Sequence, residues 1–302
     1  MKFYIIVLLL STYLYAESVP VRNTPANVDE SKSQIKIENI ANDKSKENMQ
    51  KWLNGNFGLK PYRSNYILPF GIANSKYVSH KPTVSYDNKE AELQVSLKLK
   101  VADNLLGLQE KYYVSYTHHA FWQIYINSSP FRESIYNPEA FVIFPISDRT
   151  SGLNIRSLKF AIAHQSNGQP NTTNIPIFNG YNLSKSINYL YTTLTLQHGT
   201  LLTDLTLRAP YLGAGDLTDN PDIMKYFGYT KAKFTYFYNK NMFSLMVRGN
   251  ISSLKGAVEA TYSYPLPHDT YLYMKFFSGY MESLVDYNRE VTKFSIGFSF
   301  SR

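Results

Sequence analysis

The sequence predicts an all-β chain, a transmembrane antiparallel β-barrel of about twelve strands with a short polar N-terminal arm. Stretches of roughly ten residues alternate apolar and polar side chains between Asn, Asp, Gly and Pro breaks. That is the length and period of a strand that crosses a bilayer with one apolar face. The 302 residues include 26 Tyr and 18 Phe, many at the ends of these stretches, where a barrel sets its two aromatic girdles. A soluble sandwich or lipocalin-like barrel shares the alternation. It does not account for the tyrosine-rich ends or, in a secreted β protein of this length, for zero cysteines.

Met1–Ala16 has a lysine, an apolar run from Phe3 to Leu10 and a small residue at its end, which reads as a signal peptide over residues 1–16. No later segment approaches the roughly 20 apolar residues of a membrane helix. Residues 17–55 are rich in Asn, Asp, Glu, Lys and Ser, with thin apolar spacing at Ile35, Ile37, Ile40 and Met49, and are expected to form a flexible or weakly helical arm. The barrel is expected over residues 56–302. Its clearest strand is AELQVSLKLKV, in which Leu93, Val95, Leu97, Leu99 and Val101 share the lipid-facing parity and Gln94, Ser96, Lys98 and Lys100 the other. Further strands are expected at 111–117, 121–126, 140–146, 155–164, 188–196, 201–207, 226–238, 242–251, 258–264, 271–277 and 291–300. The last carries Thr292, Phe294, Ile296, Phe298 and Phe300 on one face, as a closing strand would.

Composition limits the chemistry. Without cysteine there is no thiolate nucleophile and no Cys-bound metal, so catalysis falls to Ser, His, Asn, carboxylates or an oxygen-bound metal. The net charge of +8 is scattered, which disfavours a nucleic-acid groove and suits a surface beside anionic lipid.

Two stretches hold residues that a pore does not need. In LKFAIAHQSNG, Leu158, Phe160 and Ile162 share one parity, and the same face continues through His164 to Ser166. In SKSINYLYTTLTL, Asn188 shares parity with Leu190, Leu194 and Leu196. If the two strands pair, Asn188 lies beside His164. Histidine, serine and asparagine at a strand end are most often solvated loop residues, but a polar trio on a lipid-facing wall lacks that solvent. As chemistry the set is complete, with Ser166 as nucleophile, His164 as its base and Asn188 accepting from the other imidazole nitrogen. An amide in the third place also keeps a carboxylate away from hydrocarbon.

The segments HQSNG (His164–Gly168), SSPFRE (Ser128–Glu133), YTHHAFWQ (Tyr116–Gln123), DNPDIMKYFGY (Asp219–Tyr229) and SGYMESLVDYN (Ser278–Asn288) resemble the outer-membrane phospholipase A family of Gram-negative bacteria. The likeness runs from about Asn56 to the final strand. It implies a twelve-stranded barrel in the outer membrane with a Ser-His-Asn site on its outside, hydrolysing acyl esters of phospholipids and activated by Ca²⁺-dependent dimerisation. On that match Ser166, His164 and Asn188 take the catalytic places. Ser184 matches a calcium-ligand serine, Ser128 the ligand reaching in from a partner subunit, and Asp219 an acidic residue of the monomer's calcium site. Gln169 stands where the family's HDSNGR pattern has arginine; that ligand is a backbone carbonyl, so the site tolerates the change. Asn171 stands where aspartate is expected, and the Gly168–Ser184 loop is longer by about ten residues.

Calcium suits such ligands on chemical grounds, because it accepts about 6–8 oxygens in loose geometry. His118 and His119 are not expected to form a metal pair, since adjacent strand residues point to opposite faces. The competing reading of the chain is a non-enzymatic barrel, a pore or an adhesin.

Overall fold

The computed structural model describes residues 49, 58–146, 153–211, 217–268 and 270–301. The expected signal peptide and, apart from Met49, the polar arm lie outside the described residues. Residues 57–302 form one compact unit.

Among the described residues thirteen strands make one antiparallel sheet: β1 (Leu59–Pro61), β2 (Asn65–Ala73), β3 (Lys89–Asp103), β4 (Lys111–Trp122), β5 (Phe131–Pro145), β6 (Ile155–Ser166), β7 (Ser186–His198), β8 (Leu201–Pro210), β9 (Thr230–Tyr238), β10 (Asn241–Asn250), β11 (Lys255–Pro265), β12 (Tyr271–Gly279) and β13 (Val291–Ser301). Each pairs with the next in sequence from β2 to β13, and β13 pairs back onto β2. This closes a twelve-stranded barrel. The short β1 pairs with β3 just beyond β2, through Leu59↔Leu99, so β1 and β2 run as one interrupted edge. Closure pairs each strand from β2 to β13 on both sides, as a hydrocarbon surround demands.

The alternation sets the faces. In β3, Glu90, Glu92 and Ser96 are wholly buried inside while Val95, Leu99 and Val101 are exposed outside, and in β13 Lys293, Ser295 and Ser299 point in while Phe294, Phe298 and Phe300 point out. The outer wall is therefore the apolar one. Exposed Tyr125, Tyr211 and Tyr229 lie at the end with the long loops, and Tyr238, Tyr264 and Phe300 at the end with the short turns. These are the two girdles.

Inside, one group of charges is paired across the lumen. Arg132 donates to Glu90 (2.9 and 3.0 Å), Asp286 (2.7 Å) and Ser283 (3.0 Å), Lys293 donates to Glu90 (2.8 Å), and Glu92 accepts from Tyr66 (2.6 Å) and contacts His119 (2.7 Å) and Lys275. Above this network an apolar plug closes the long-loop mouth. A short helix, α1 (Ile223–Phe227), buries Ile223, Met224 and Phe227 against Phe121, Ile187, Tyr189, Leu284 and Tyr287. Arg248 ties the plug down by donating to the carbonyls of Tyr226 and Phe227 at the end of α1 and of Tyr280 and Met281 in the β12–β13 loop.

Three expectations need correction. The run 121–126 is not a separate strand: β4 continues to Trp122, and Ile124–Ile126 lie in the turn to β5. The twelfth barrel strand is instead β2, whose period is broken by Pro69 and by a register shift between Leu68 and Gly71. Residues 226–229 precede β9, and Tyr226 and Phe227 belong to α1, which turns its apolar residues into the plug.

Candidate active site

β6 and β7 pair in register with His164↔Asn188 and Ser166↔Ser186, and β5 sets Tyr136 opposite Ser166. Phe160, Ile162 and Leu190 are exposed on the outer wall while Ala161, Ala163, Ile187 and Tyr189 are buried inside. The same alternation carries His164, Ser166 and Asn188 onto the outer wall, where all three are half-buried. They stand where the strands meet the long loops, one turn of the pleat above the apolar belt.

His164 Nδ1 and Asn188 Oδ1 are 2.7 Å apart. An amide oxygen only accepts, so the imidazole proton sits on Nδ1 and Nε2 keeps its lone pair. Ser166 lies two residues along the same face. The backbone under His164 is held in an unusual way. The β5–β6 register lapses between Glu139↔Ala163 and Tyr136↔Ser166, where Pro138 has no N–H to give, and the Asn137 side-chain amide donates to the His164 carbonyl instead at 2.7 Å. The Asn188 carbonyl accepts from the Tyr211 N–H at 2.8 Å.

Of the expected calcium ligands, Ser184 and Asp219 meet: Ser184 Oγ donates to Asp219 Oδ2 at 2.7 Å, and the amides of Asn182 and Asn171 donate to Oδ1 at 2.5 and 3.2 Å. Gln169 lies beside this group through Asn167, whose Oδ1 accepts from the N–H of Gln169 (3.2 Å) and of Lys185 (3.1 Å). Ser128 stands apart, exposed at the tip of the β4–β5 turn with a φ of 62°. Among the described residues no group of three or more His, Cys, Asp or Glu side chains is arranged to hold a metal ion. One carboxylate among hydroxyl, amide and carbonyl oxygens is a donor set that fits a hard, loosely held cation such as Ca²⁺. The long loop does not displace Ser184, because buried Thr172 pins its neck, donating to the Tyr181 carbonyl (2.6 Å) and accepting from the Leu183 N–H (3.1 Å). Gly168 turns out of β6 with a φ of +62°, and a Cβ there would meet the Tyr136 ring at 3.1 Å, so the position favours glycine.

His118 and His119 face opposite sides of the wall. His119 bonds Glu92 inside, while His118 stacks on Tyr136 outside with ring centroids 5.2 Å apart. Beneath the trio, an apolar groove of about 800 Å³ on the outer wall is lined by Val142, Phe160, Ile162, Leu190 and Leu207.

Sequence reasoning missed the asparagines that hold this region. Asn167 is nearly fully buried and also donates to Glu133 Oε1 and the Leu183 carbonyl, each at 2.9 Å. Asn220, wholly buried, bonds the backbone of Ser186. The signal was present in the motifs HQSNG and DNPD, where each asparagine adjoins a candidate site residue.

A model of the family described as phospholipase A1 matches residues 42–300. Phospholipase A1 of Escherichia coli is 32% identical over 249 residues, covering 80% of this chain and 81% of the relative. A putative phospholipase A1 of Neisseria meningitidis serogroup B is 33% identical over 267 residues, covering 82% and 67%. Among solved structures, the calcium-bound dimer of the outer membrane phospholipase from Salmonella typhi and an active-site mutant of outer membrane phospholipase A from Escherichia coli each superpose with a TM-score of 0.71 at 30% identity, over 81% of this chain and 92% of theirs. Shared sequence along most of both chains and a shared closed barrel lead to one conclusion: this outer-membrane enzyme belongs to the phospholipase A1 family.

Proposed function

We propose that the chain hydrolyses the acyl ester bonds of phospholipids, with A1, A2 and lysophospholipase activity, through Ser166, His164 and Asn188 in a calcium-dependent homodimer. The observation that carries this reading is the 2.7 Å bond from His164 Nδ1 to Asn188 Oδ1 on the lipid-facing wall, with Ser166 on the same face. The bond leaves Nε2 as the basic nitrogen.

Ser166 Oγ attacks the ester carbonyl as Nε2 takes its proton, and Asn188 keeps the resulting imidazolium oriented. Nε2–H then protonates the departing lysophospholipid oxygen, leaving an acyl group on Ser166. Water, deprotonated by the same nitrogen, releases the fatty acid and restores the serine. The apolar groove below Ile162 and Leu190 supports an acyl chain lying along the outer wall.

Ser184 and the Gln169 carbonyl would hold Ca²⁺ on one subunit, Ser128 would complete the shell from the other, and Asp219 would serve the calcium site of the monomer. Bound there, the ion supplies positive charge to polarise the ester carbonyl and its oxyanion. The calcium-bound dimer of the Salmonella typhi relative supports the same assembly for this chain. Hydroxyl and carbonyl ligands imply weak binding, so calcium and association act together as a switch on an enzyme otherwise surrounded by its substrate.

The test is release of fatty acid from phospholipid by the purified protein in detergent with calcium. Hydrolysis lost in Ser166→Ala and His164→Ala, with the barrel intact, is the expected result. Retained hydrolysis in Ser166→Ala would overturn the nucleophile. Paired polar groups in the lumen and a plugged mouth do not favour a pore.

A further inference from the structure

We propose, resting on the catalytic reading above, that Asn220 is a positioning residue that completes the end of the catalytic strand and thereby sets the register of Asn188 and Ser186 against His164 and Ser166.

β7 pairs with β8 from His198 to Tyr189, and the Tyr211 N–H still reaches the Asn188 carbonyl at 2.8 Å. β8 ends at Pro210, so among the described residues no strand lies beside Ser186 on that side, although its N–H and C=O point the same way as those of Asn188. Asn220 fills the gap. Its Oδ1 accepts from the Ser186 N–H at 2.9 Å and its Nδ2 donates to the Ser186 carbonyl at 2.8 Å. A side-chain amide has the donor and acceptor of a peptide group, so this reciprocal pair continues the sheet by one more rung.

That rung bears on the chemistry. Ser186 is the direct partner of Ser166, and Asn188, two residues on, is the partner of His164. Residues flanking Asn220 are anchored at both ends. Asp219 accepts from Ser184 Oγ at 2.7 Å, and α1 buries Ile223 and Phe227 against Ile187 and Tyr189, the inward neighbours of Asn188. Phe227 meets the Tyr189 ring edge to face with centroids 5.4 Å apart. Asn220 itself is wholly buried and both its amide groups are used on Ser186, so it acts through the strand without touching substrate.

The experiment measures phospholipid hydrolysis in calcium-containing mixed micelles for Asn220→Ala, Asn220→Gln and Ser166→Ala, with heat-modifiable migration in SDS as the check on the barrel. Asn220→Ala is expected to lower kcat roughly ten- to hundred-fold with KM within about twofold, the scale of a misplacement near 1 Å. Asn220→Gln keeps the amide donor and acceptor on a side chain one methylene longer and should recover part of the kcat that Asn220→Ala loses. Asn220→Ala with wild-type kcat, or Asn220→Gln no more active than Asn220→Ala, would overturn the proposal. If Asn220→Ala fails to assemble, Asn220→Ser, whose single hydroxyl is too short to span both Ser186 groups, takes its place with the same expected and overturning results. Hydrolysis surviving in Ser166→Ala would remove the catalytic reading itself; hydrolysis lost there but unaffected at Asn220 would remove only the positioning role.

Discussion

Replacing Asn188 by alanine removes the hydrogen bond from His164 Nδ1 and leaves Ser166 and His164 in place, so its effect measures what orientation of the imidazole contributes. The bond spans 2.7 Å and is half-buried, on a wall that faces hydrocarbon below it. In the resting enzyme it joins two neutral groups. As Nε2 takes the serine proton the histidine becomes cationic, and the bond becomes charge-assisted, worth about 1.5–3 kcal/mol. At about 1.4 kcal/mol per factor of ten, that predicts a fall in kcat of about 10- to 150-fold. KM should stay within about twofold, because the gain is made only in the transition state. Initial rates of fatty-acid release across substrate concentrations, in calcium-containing micelles, separate the two parameters. A fall as deep as that of Ser166→Ala would mean that Asn188 does more than orient, and an unchanged kcat would remove it from the site.

Other outcomes follow from the same structure. Ser128→Ala should weaken calcium-activated hydrolysis, and mixing it with Ser166→Ala should restore part of it, since a mixed dimer combines an intact Ser166 with an intact Ser128 from its partner; no recovery on mixing would refute the shared site. Asn171→Asp adds a second carboxylate beside Asp219 and should lower the calcium concentration for half-activation several-fold, read from a calcium titration of activity; an unchanged midpoint would place Asn171 outside the site. Arg132→Leu leaves Asp286 without its cation and Glu90 with Lys293 alone inside the barrel, and should cost about 3–5 kcal/mol in denaturant unfolding, whereas a charge network of no consequence would show no shift. Val95→Lys puts a charge on the outer wall at mid-strand and should cost about 2–4 kcal/mol in the same assay; no loss would contradict lipid contact there.

The period of the chain was enough to establish the sheet and its faces. A strand alternates with period two whatever its neighbours, so Val95 and Leu99 outside and Glu92 and Ser96 inside were legible from residue order, and so was the common face of His164, Ser166 and Asn188. Local signals failed where the backbone leaves that period. β2 carries Pro69 and a bulge that shift its apolar residues out of step, and α1 lies in an aromatic run that reads as strand until its contacts with the plug are seen. Residue order also left open which groups meet across long separations. Ser184 and Asp219 are 35 residues apart, Arg132 and Asp286 are 154, and Ser186 and Asn220 are 34, and only barrel closure and the folding of the loops into its mouth bring them within hydrogen-bond distance. Side-chain direction is a local property of a strand, whereas the partner of a buried amide or carboxylate is chosen by the low dielectric around it, which makes any unpaired polar group costly and therefore depends on everything that surrounds it.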